Sequence, residues 1–236
     1  MTLFDCAVDY HNDVFRNIRG IRESQHLFDD LSDDPSDWEA ANQLDSQTHP
    51  ALTHASIIQR AFDYSKNDFI DYPFEHMTAS RYSDGSIPCW YGSETLITSI
   101  YETCYHFGQE IQDAYAFFYP EQLISVDRRV GLVHCEGLAF DLSRKALKYP
   151  WLVSPDQYTQ CRHIGHRVAN EGHPLLIVPS ARQNDGVNLV VFNQNNLSNA
   201  RDYCYLKYVY DLSEGTIKAY RGEHLLLKTS MLEAVT

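Results

Sequence analysis

The sequence predicts a fold of the α+β class, and three observations carry this prediction. Strand patterns dominate the second half of the chain, helix patterns are inserted between them, and no regular strand–helix–strand repeat appears. The chain has 236 residues, of which 44% are hydrophobic and 22% charged. That length and composition favour one sizeable core over wholesale disorder.

Residues 1–72 are interpreted as an N-terminal helical extension that precedes the main domain, residues 73–236. Ser36 is placed to cap a short helix that carries acidic residues in its first turn. A second helix is predicted over 53–65, where apolar side chains recur at helical spacing. Since this extension contains no dense set of polar side chains, the chemistry is expected downstream.

The main domain is predicted to begin with a strand and a long helix. Residues 87–92 (IPCWYG) are short, aromatic and bounded by turns, which is typical of a strand. Ser93 is predicted to start a helix that runs to about Asp113 and places its apolar side chains in one buried stripe. A strand is predicted over 129–142, in which two glycines indicate a bulge or a close approach.

The rest of the chain predicts one more helix and several strands. The helix should start at residues 154–156 (SPD), where the proline suits the first helical position, and end near residue 170. Further strands are predicted over 174–178, 187–192 and 203–212. The last of them places the even-numbered residues from Cys204 to Tyr210 on one side.

Charge and cysteine usage exclude several functional classes. The net charge of −13 argues against direct binding of nucleic acid, because affinity for phosphates depends on clustered lysines and arginines. The six cysteines include no C-x-x-C pair, so neither a zinc nor a redox motif is visible and no metal site is predicted. Nothing approaches the ~18 apolar residues of a membrane span. We expect a cytoplasmic protein with reduced thiols, either monomeric or a homo-oligomer.

Glu102 is the first of three candidate functional residues. On the predicted helix it has Thr98, Ser99, Tyr105 and His106 three or four positions away. A polar helix face is usually just solvated, but threonine and serine are poorer helix formers than lysine and glutamate. A short-chain polar face around one carboxylate is more natural where something packs over it.

The other two candidates sit beside turns. Arg81 precedes a turn marked by Asp84-Gly85, where it is either a surface arginine or a fork of donors for a diphosphate or carboxylate. Ser180 follows a buried strand, in a polar loop that leads to Asn188. Such a loop is either an ordinary hairpin connection or a ligand-binding loop, and the two interpretations carry equal weight.

Taken together and in this order, the motifs resemble the RES domain. They are the R-Y-S-D-G turn, the W-Y-G-S-E-T-L-x-T-S-I-x-E-T-x-Y-H-F strand and helix, and the late P-S-A-R-x-x-x-G-x-N-L-V-V-F strand pair. The resemblance spans about residues 73–212, more than half of the chain. The arginine, glutamate and serine for which the domain is named correspond to Arg81, Glu102 and Ser180.

The resemblance implies an ADP-ribosyltransferase-like core of small packed β-sheets around an NAD cleft, with surrounding helices. RES proteins are toxins that degrade NAD, characteristically by phosphorolysis to ADP-ribose-1″-phosphate and nicotinamide. NAD would then be a substrate, inorganic phosphate a co-substrate, and no cofactor would be needed. The implied partner is an antitoxin with an Xre-like helix-turn-helix region, which blocks the active site and supplies the DNA binding.

The resemblance also assigns roles to single residues. Glu102 would stabilise the positive charge that develops on the ribose as nicotinamide leaves. Arg81 would hold a phosphate, and Ser180 would hydrogen-bond the ligand or position Arg81. Tyr82 and Tyr91 are expected to contact nicotinamide or ribose. Asn188 joins this NAD-binding set as a residue that fixes its loop.

Two other functions stay open on the sequence. Some relatives of the RES domain transfer ADP-ribose onto a protein, and this chain has the same NAD-binding residue types. A catalytically silent module that only engages an antitoxin is the second alternative. Retention of the arginine, glutamate and serine together argues against that silent module, which would not need all three.

Overall fold

The computed structural model describes residues 3–20, 67–119 and 122–230. The strands in these ranges are β1 (Ala7–Arg19), β2 (Trp90–Ser93), β3 (Leu123–Asp141), β4 (Leu175–Pro179), β5 (Val187–Val191), β6 (Leu197–Asp211), β7 (Thr216–Arg221) and β8 (His224–Ser230). The α-helices are α1 (Tyr72–Glu75), α2 (Leu96–Asp113) and α3 (Thr159–Asn170). This mixture confirms the predicted α+β class, while the ADP-ribosyltransferase-like arrangement stays a prediction.

Five of the strands close into a small ring. β1 pairs antiparallel with β3 along its whole length, and β3 pairs in parallel with β4. β4 pairs antiparallel with β5, β5 with β2, and β2 returns to β1 at the pair Phe15↔Ser93. The first part of β3 also pairs with β6, from which β7 and β8 extend the sheet.

Large apolar side chains fill the interior of this ring. Trp90 and Phe69 are fully buried, and the Trp90 indole N–H donates to the Phe69 carbonyl oxygen at 2.6 Å. Because side chains alternate along a strand, Leu175 of β4 faces this core while Leu176 packs toward α3. Gly131 of β3 makes room for Phe69, since a Cβ there would lie 2.8 Å from the ring.

Two helices cover other faces of the sheet. The predicted apolar stripe of α2 is confirmed, because its buried side chains include Ile100, Cys104, Phe107 and Ile111. They share a core with β6 and β7, in which Leu206 and Tyr208 are buried. α3 packs on β4 and β5 through Cys161, Ile164 and Val168. No helix in the described ranges is long and apolar enough to cross a membrane.

The predicted starts of both long helices are early by a few residues. Ser93 is the last residue of β2, and Thr95 caps α2 by accepting the backbone N–H of Thr98 at 3.1 Å. Ser154 ends a 3₁₀ turn, and its hydroxyl accepts the N–H of Gln157. Neither serine therefore caps the helix predicted for it: Ser93 belongs to β2, and Ser154 caps the turn that precedes α3.

The predicted helical extension is wrong for residues 7–19, which form strand β1. Tyr10 and Val14 point into the ring while polar side chains between them face outward, so the alternation is hidden among charged and polar residues. Pairing with β3 along thirteen positions outweighs the weak local signal. The helices predicted at 36–44 and 53–65 lie outside the described residues, and the domain boundary after residue 72 stays a prediction.

Candidate active site

Glu102 lies half-buried on α2, and two side chains from the neighbouring strands hold it. The hydroxyl of Ser180 donates to Oε1 of Glu102 at 2.7 Å. The side-chain amide of Asn188 donates to the same oxygen, also at 2.7 Å. Among the described residues nothing hydrogen-bonds Oε2. The carboxylate is thus fixed through one oxygen and presents the other.

Ser180 comes directly after β4, and only 6% of it is exposed. Its Oγ donates to Glu102 and accepts the backbone N–H groups of Arg182 and Gln183 at 3.1 and 3.0 Å. Since a serine hydroxyl has one donor and two acceptor sites, these bonds use its full capacity. In this structure the hydroxyl of Ser180 orients Glu102, a role that the sequence did not predict, while the two roles expected for it stay predictions.

Asn188 of β5 is also committed at both ends of its amide. Nδ2 donates to Glu102, and Oδ1 accepts from the hydroxyl of Ser93 at 2.7 Å. A side chain bonded in this way orients the carboxylate. Asn188 was expected to fix its loop as a member of the NAD-binding set. In the structure its side chain orients the Glu102 carboxylate.

Gly186 allows the loop between β4 and β5 to lie close to α2. A Cβ at this position would lie 2.9 Å from Cβ of Ser180 and 3.0 Å from Cγ2 of Thr98. The Gly186 carbonyl oxygen accepts the backbone N–H of Ser180 at 2.8 Å, which closes the loop. This close approach brings Ser180 within hydrogen-bonding reach of Glu102.

Arg81 is half-buried beside the loop that precedes α3. Its guanidinium carbon lies 4.4 Å from the centroid of the Tyr158 ring. Nη1 donates to the carbonyl oxygen of Ser154 at 2.7 Å. The described part of the chain contains no carboxylate paired with Arg81, so its charge is balanced only by the aromatic ring and backbone dipoles.

Arg182 contacts Tyr158 as well, and it also lies against Tyr105 of α2. Its guanidinium carbon lies 3.3 Å from the centroid of Tyr105, which is three residues after Glu102 on α2. Nη2 donates to the hydroxyl of Tyr158 at 3.2 Å, while the buried Nη1 has no hydrogen-bond partner among the described residues. Arg182 is 7% exposed, so this unused donor is shielded from solvent.

Tyr91 holds the turn that carries Arg81. Its hydroxyl lies 2.9 Å from Oγ of Ser80 and accepts the backbone N–H of Tyr82 at 2.9 Å. The ring of Tyr82 is fully buried in the core shared with α3. The expectation that Tyr82 contacts a ligand does not fit this position, because its ring is surrounded by protein.

Arg16, a partly buried arginine that the sequence did not single out, lies next to Tyr91. Arg16 of β1 donates from Nη1 to the Tyr91 carbonyl oxygen at 2.7 Å, and its buried Nε has no partner within the described ranges. Burial, reinforced by the nearby Arg128, lowers the pKa of Arg16 to about 10. The position of Arg16 could not be predicted from the sequence, because β1 was not recognised as a strand.

The sequence motifs also did not predict which aromatic side chains contact Arg182 and Arg81. Tyr105 stacks against Arg182 and Tyr158 against Arg81. Tyr105 lies in the motif that contains Glu102, but its contact with Arg182 was not predicted, and Tyr158 lies outside the motifs. The chain contains 16 tyrosines, so residue type alone does not single these two out. Only the placement of α2 next to the loop before α3 identifies them.

Comparison with known proteins bears on this cluster. A family model of the RES domain matches residues 53–211, which is more than half of the chain and includes Arg81, Glu102 and Ser180. Comparison with curated proteins gave no match. RES domains are associated with toxin–antitoxin systems, in which they pair with antitoxins. On the extent of this match, the chain belongs to the RES-domain family.

Proposed function

We propose that this protein is the toxin of a bacterial type II toxin–antitoxin pair and that it degrades NAD by cleaving the nicotinamide–ribose bond. Phosphorolysis to ADP-ribose-1″-phosphate and nicotinamide is the reaction we favour. The observation that carries the proposal is the Glu102 carboxylate, held through one oxygen by Ser180 and Asn188. Membership of the RES-domain family supports the toxin context.

The chemistry needs one carboxylate rather than two. When the bond between ribose and nicotinamide breaks, its electron pair leaves with nicotinamide, which departs as a neutral molecule. Positive charge then develops on the sugar, as in glycoside cleavage. Because nicotinamide needs no proton, no general acid is required. Glu102 stabilises the charged sugar through Oε2, and a phosphate oxygen supplies the electron pair for the new bond to the ribose carbon.

The arginines give the site an affinity for anions. The chain carries a net charge of −13, yet Arg81, Arg182 and Arg16 have no carboxylate partner among the described residues. Guanidinium groups without a carboxylate partner favour phosphate oxygens, and Nη1 of Arg182 and Nε of Arg16 are buried donors without a partner among the described residues. Arg182 and Arg81 are therefore proposed to bind the diphosphate of NAD or the incoming phosphate.

The remaining expectations follow from this reaction. NAD is a substrate and no resident cofactor takes part. The proposed partner is an Xre-like antitoxin that covers the site around Glu102 and brings DNA binding to the pair. Since NAD and reduced thiols are both cytoplasmic, the cytoplasm is the proposed site of action.

The test is to incubate the purified, antitoxin-free chain with NAD in buffers with and without inorganic phosphate. Nicotinamide is measured by chromatography and the sugar product by mass spectrometry. Phosphate-dependent release of nicotinamide together with ADP-ribose phosphate supports the proposal. No release in either buffer from correctly folded protein contradicts it. Free ADP-ribose in both buffers would replace phosphorolysis by hydrolysis, and label transfer to a cellular protein would favour the ADP-ribosyltransferase alternative.

A further inference from the structure

Two histidines and a glutamate meet on the outer face of the β1–β3 ladder, and none of them belongs to the cluster around Glu102. In the antiparallel register His11 lies directly opposite Glu136, and Asp13 lies opposite His134. The opposite face of the same two strands lines the core of the ring. These four side chains are therefore held on a paired and well-packed piece of backbone.

The distances between the donor atoms suit a single small cation. Nδ1 of His11 lies 3.4 Å from Oε2 of Glu136, and Nε2 of His134 lies 3.7 Å from the same oxygen. One donor atom from each of the three residues lies within 4.8 Å of the other two. Nitrogen and oxygen ligands at about 2.0–2.2 Å from a tetrahedral Zn²⁺ are separated by roughly 3.3–3.6 Å. Small side-chain rotations thus bring all three atoms to one ion.

Asp13 orients one of the histidines. Its Oδ1 lies 3.0 Å from Nδ1 of His134, and its other oxygen accepts a hydrogen bond from Arg201. When the carboxylate accepts the Nδ1 proton, the lone pair of the neutral imidazole is on Nε2, which faces Glu136. Carboxylates that accept the second N–H of a ligating histidine are a common outer shell of metal sites.

We propose that His11, His134 and Glu136 form a binding site for a divalent transition-metal ion of the Zn²⁺ type, with Asp13 as a positioning residue. Two imidazoles and one carboxylate form a donor set that zinc accepts readily. The side chains of His11 and Glu136 are 69% and 59% exposed, so the fourth coordination position faces solvent. The ion ties β1 to β3 across the ladder.

This site goes beyond the sequence-based expectation of no metal. The ligands come from two strands that lie far apart in the chain, so no short motif announces them. They become neighbours only through the register of β1 against β3. The site is also independent of the proposed NAD chemistry, because it shares no side chain with it.

The test uses the full chain, stripped with a chelator that is then removed, and Zn²⁺ alone as the probe. Calorimetry should show one ion per chain, and Zn²⁺ should raise the Tm of the wild type. His11→Ala and His134→Ala should each lower the affinity at least about 10-fold. Asp13→Asn should lower it by about 10-fold while keeping the stoichiometry, as expected of a positioning residue. His224→Ala, an exposed histidine on β8, is the matched control and should leave binding unchanged.

Cobalt distinguishes this site from the six cysteines, all of which are free thiols. Co²⁺ in the proposed site should give visible d–d bands without a thiolate charge-transfer band in the near ultraviolet. Circular dichroism and Tm in chelator should show that the variants are folded. Absence of Zn²⁺ binding to the wild type overturns the proposal. So does wild-type affinity in both histidine variants, or a Co²⁺ spectrum with thiolate bands.

Discussion

At the scale of single residues, the direction of the Glu102 carboxylate depends on Ser180 and Asn188. Both donate to the same oxygen at 2.7 Å, the distance of strong charge-assisted hydrogen bonds. A hydrogen bond to a charged group contributes about 1.5–3 kcal/mol. Removing one donor loosens the carboxylate without removing it, so the chemical step should suffer more than NAD binding.

We therefore predict that Ser180→Ala and Asn188→Ala each lower kcat for nicotinamide release by about 10-fold or more, with little change in KM for NAD. In a Glu102→Gln background, Ser180→Ala should cause no further loss, because the serine acts through the carboxylate. Ser86→Ala, at an exposed position in the Arg81 turn, is the control. A rise in KM with unchanged kcat would instead make Ser180 a ligand contact.

Arg182 should affect binding rather than the chemical step. Its buried Nη1 has no partner among the described residues, so a phosphate oxygen can take that donor. Arg182→Met should weaken NAD binding at least about 10-fold, measured by calorimetry in the Glu102→Gln background, where turnover does not interfere. Arg144→Met removes an exposed arginine and should have no such effect. Equal NAD affinities in the two variants would refute the role given to Arg182.

Part of this site could be predicted from the sequence. Glu102, Arg81 and Ser180 were identified by motifs, but the role of Ser180 was not, because hydrogen-bond direction depends on how the loop after β4 meets α2. Tyr82 and Tyr91 were expected to contact nicotinamide or ribose. Their side chains point to the core and to the turn, which residue type does not specify.

At the scale of elements, α3 lies unusually close to the turn that carries Arg81. A Cβ on Gly165 would lie 1.9 Å from the carbonyl oxygen of Tyr82, which is backbone and cannot rotate away. Helix propensity alone favours alanine over glycine by about 1 kcal/mol. Here the clash between an alanine Cβ and the Tyr82 carbonyl oxygen opposes that preference. To relieve the clash, α3 would have to move away from the turn.

We predict that Gly165→Ala destabilises the protein by about 1–3 kcal/mol or more, in spite of the higher helix propensity of alanine. Gln160→Ala, at an exposed position of the same helix, should change stability by no more than about 0.5 kcal/mol. Urea unfolding followed by circular dichroism measures both. A Gly165→Ala variant as stable as the wild type would mean that α3 is free to move away from the turn.

Elements with a strong local period were predictable, and elements that depend on distant pairing were not. The stripe of α2 was visible because its apolar side chains recur at helical spacing, whereas β4 and β5 were visible as short, nearly continuous apolar runs. β1 carries outward-facing histidine and aspartate side chains and is a strand because β3 pairs with it. β7 and β8 were not predicted; both are short, and they extend the sheet through pairing with β6 and with each other.

At the scale of the whole molecule, folding separates one thiol from five others. Burial raises the pKa of Cys89, Cys104 and Cys135 to about 12 each. Burial also raises the pKa values of Cys161 and Cys204, whereas Cys6 is exposed. Only the thiolate attacks electrophiles. Four of these five thiols are buried, and Cys89 is partly buried with a raised pKa, so all five should be inert in the folded protein.

We predict that one of the six thiols reacts rapidly with a disulfide reagent at pH 8 and that the other five react only on unfolding. Cys6→Ser should remove the rapid phase and leave the slow one. Absorbance of the released chromophore counts both phases. Two or more rapid thiols in the folded chain would contradict the closed ring and the packed helices described above.

The most direct test of the proposed function compares nicotinamide release from NAD by the wild type and by Glu102→Gln, at saturating phosphate and with protein shown to be folded. The substitution keeps the size of the side chain and removes its negative charge. We predict measurable release by the wild type and a loss of at least about 100-fold in the variant, as for removal of one electrostatic stabiliser of a transition state. Equal release by the two proteins would contradict the assignment of Glu102 as the catalytic carboxylate.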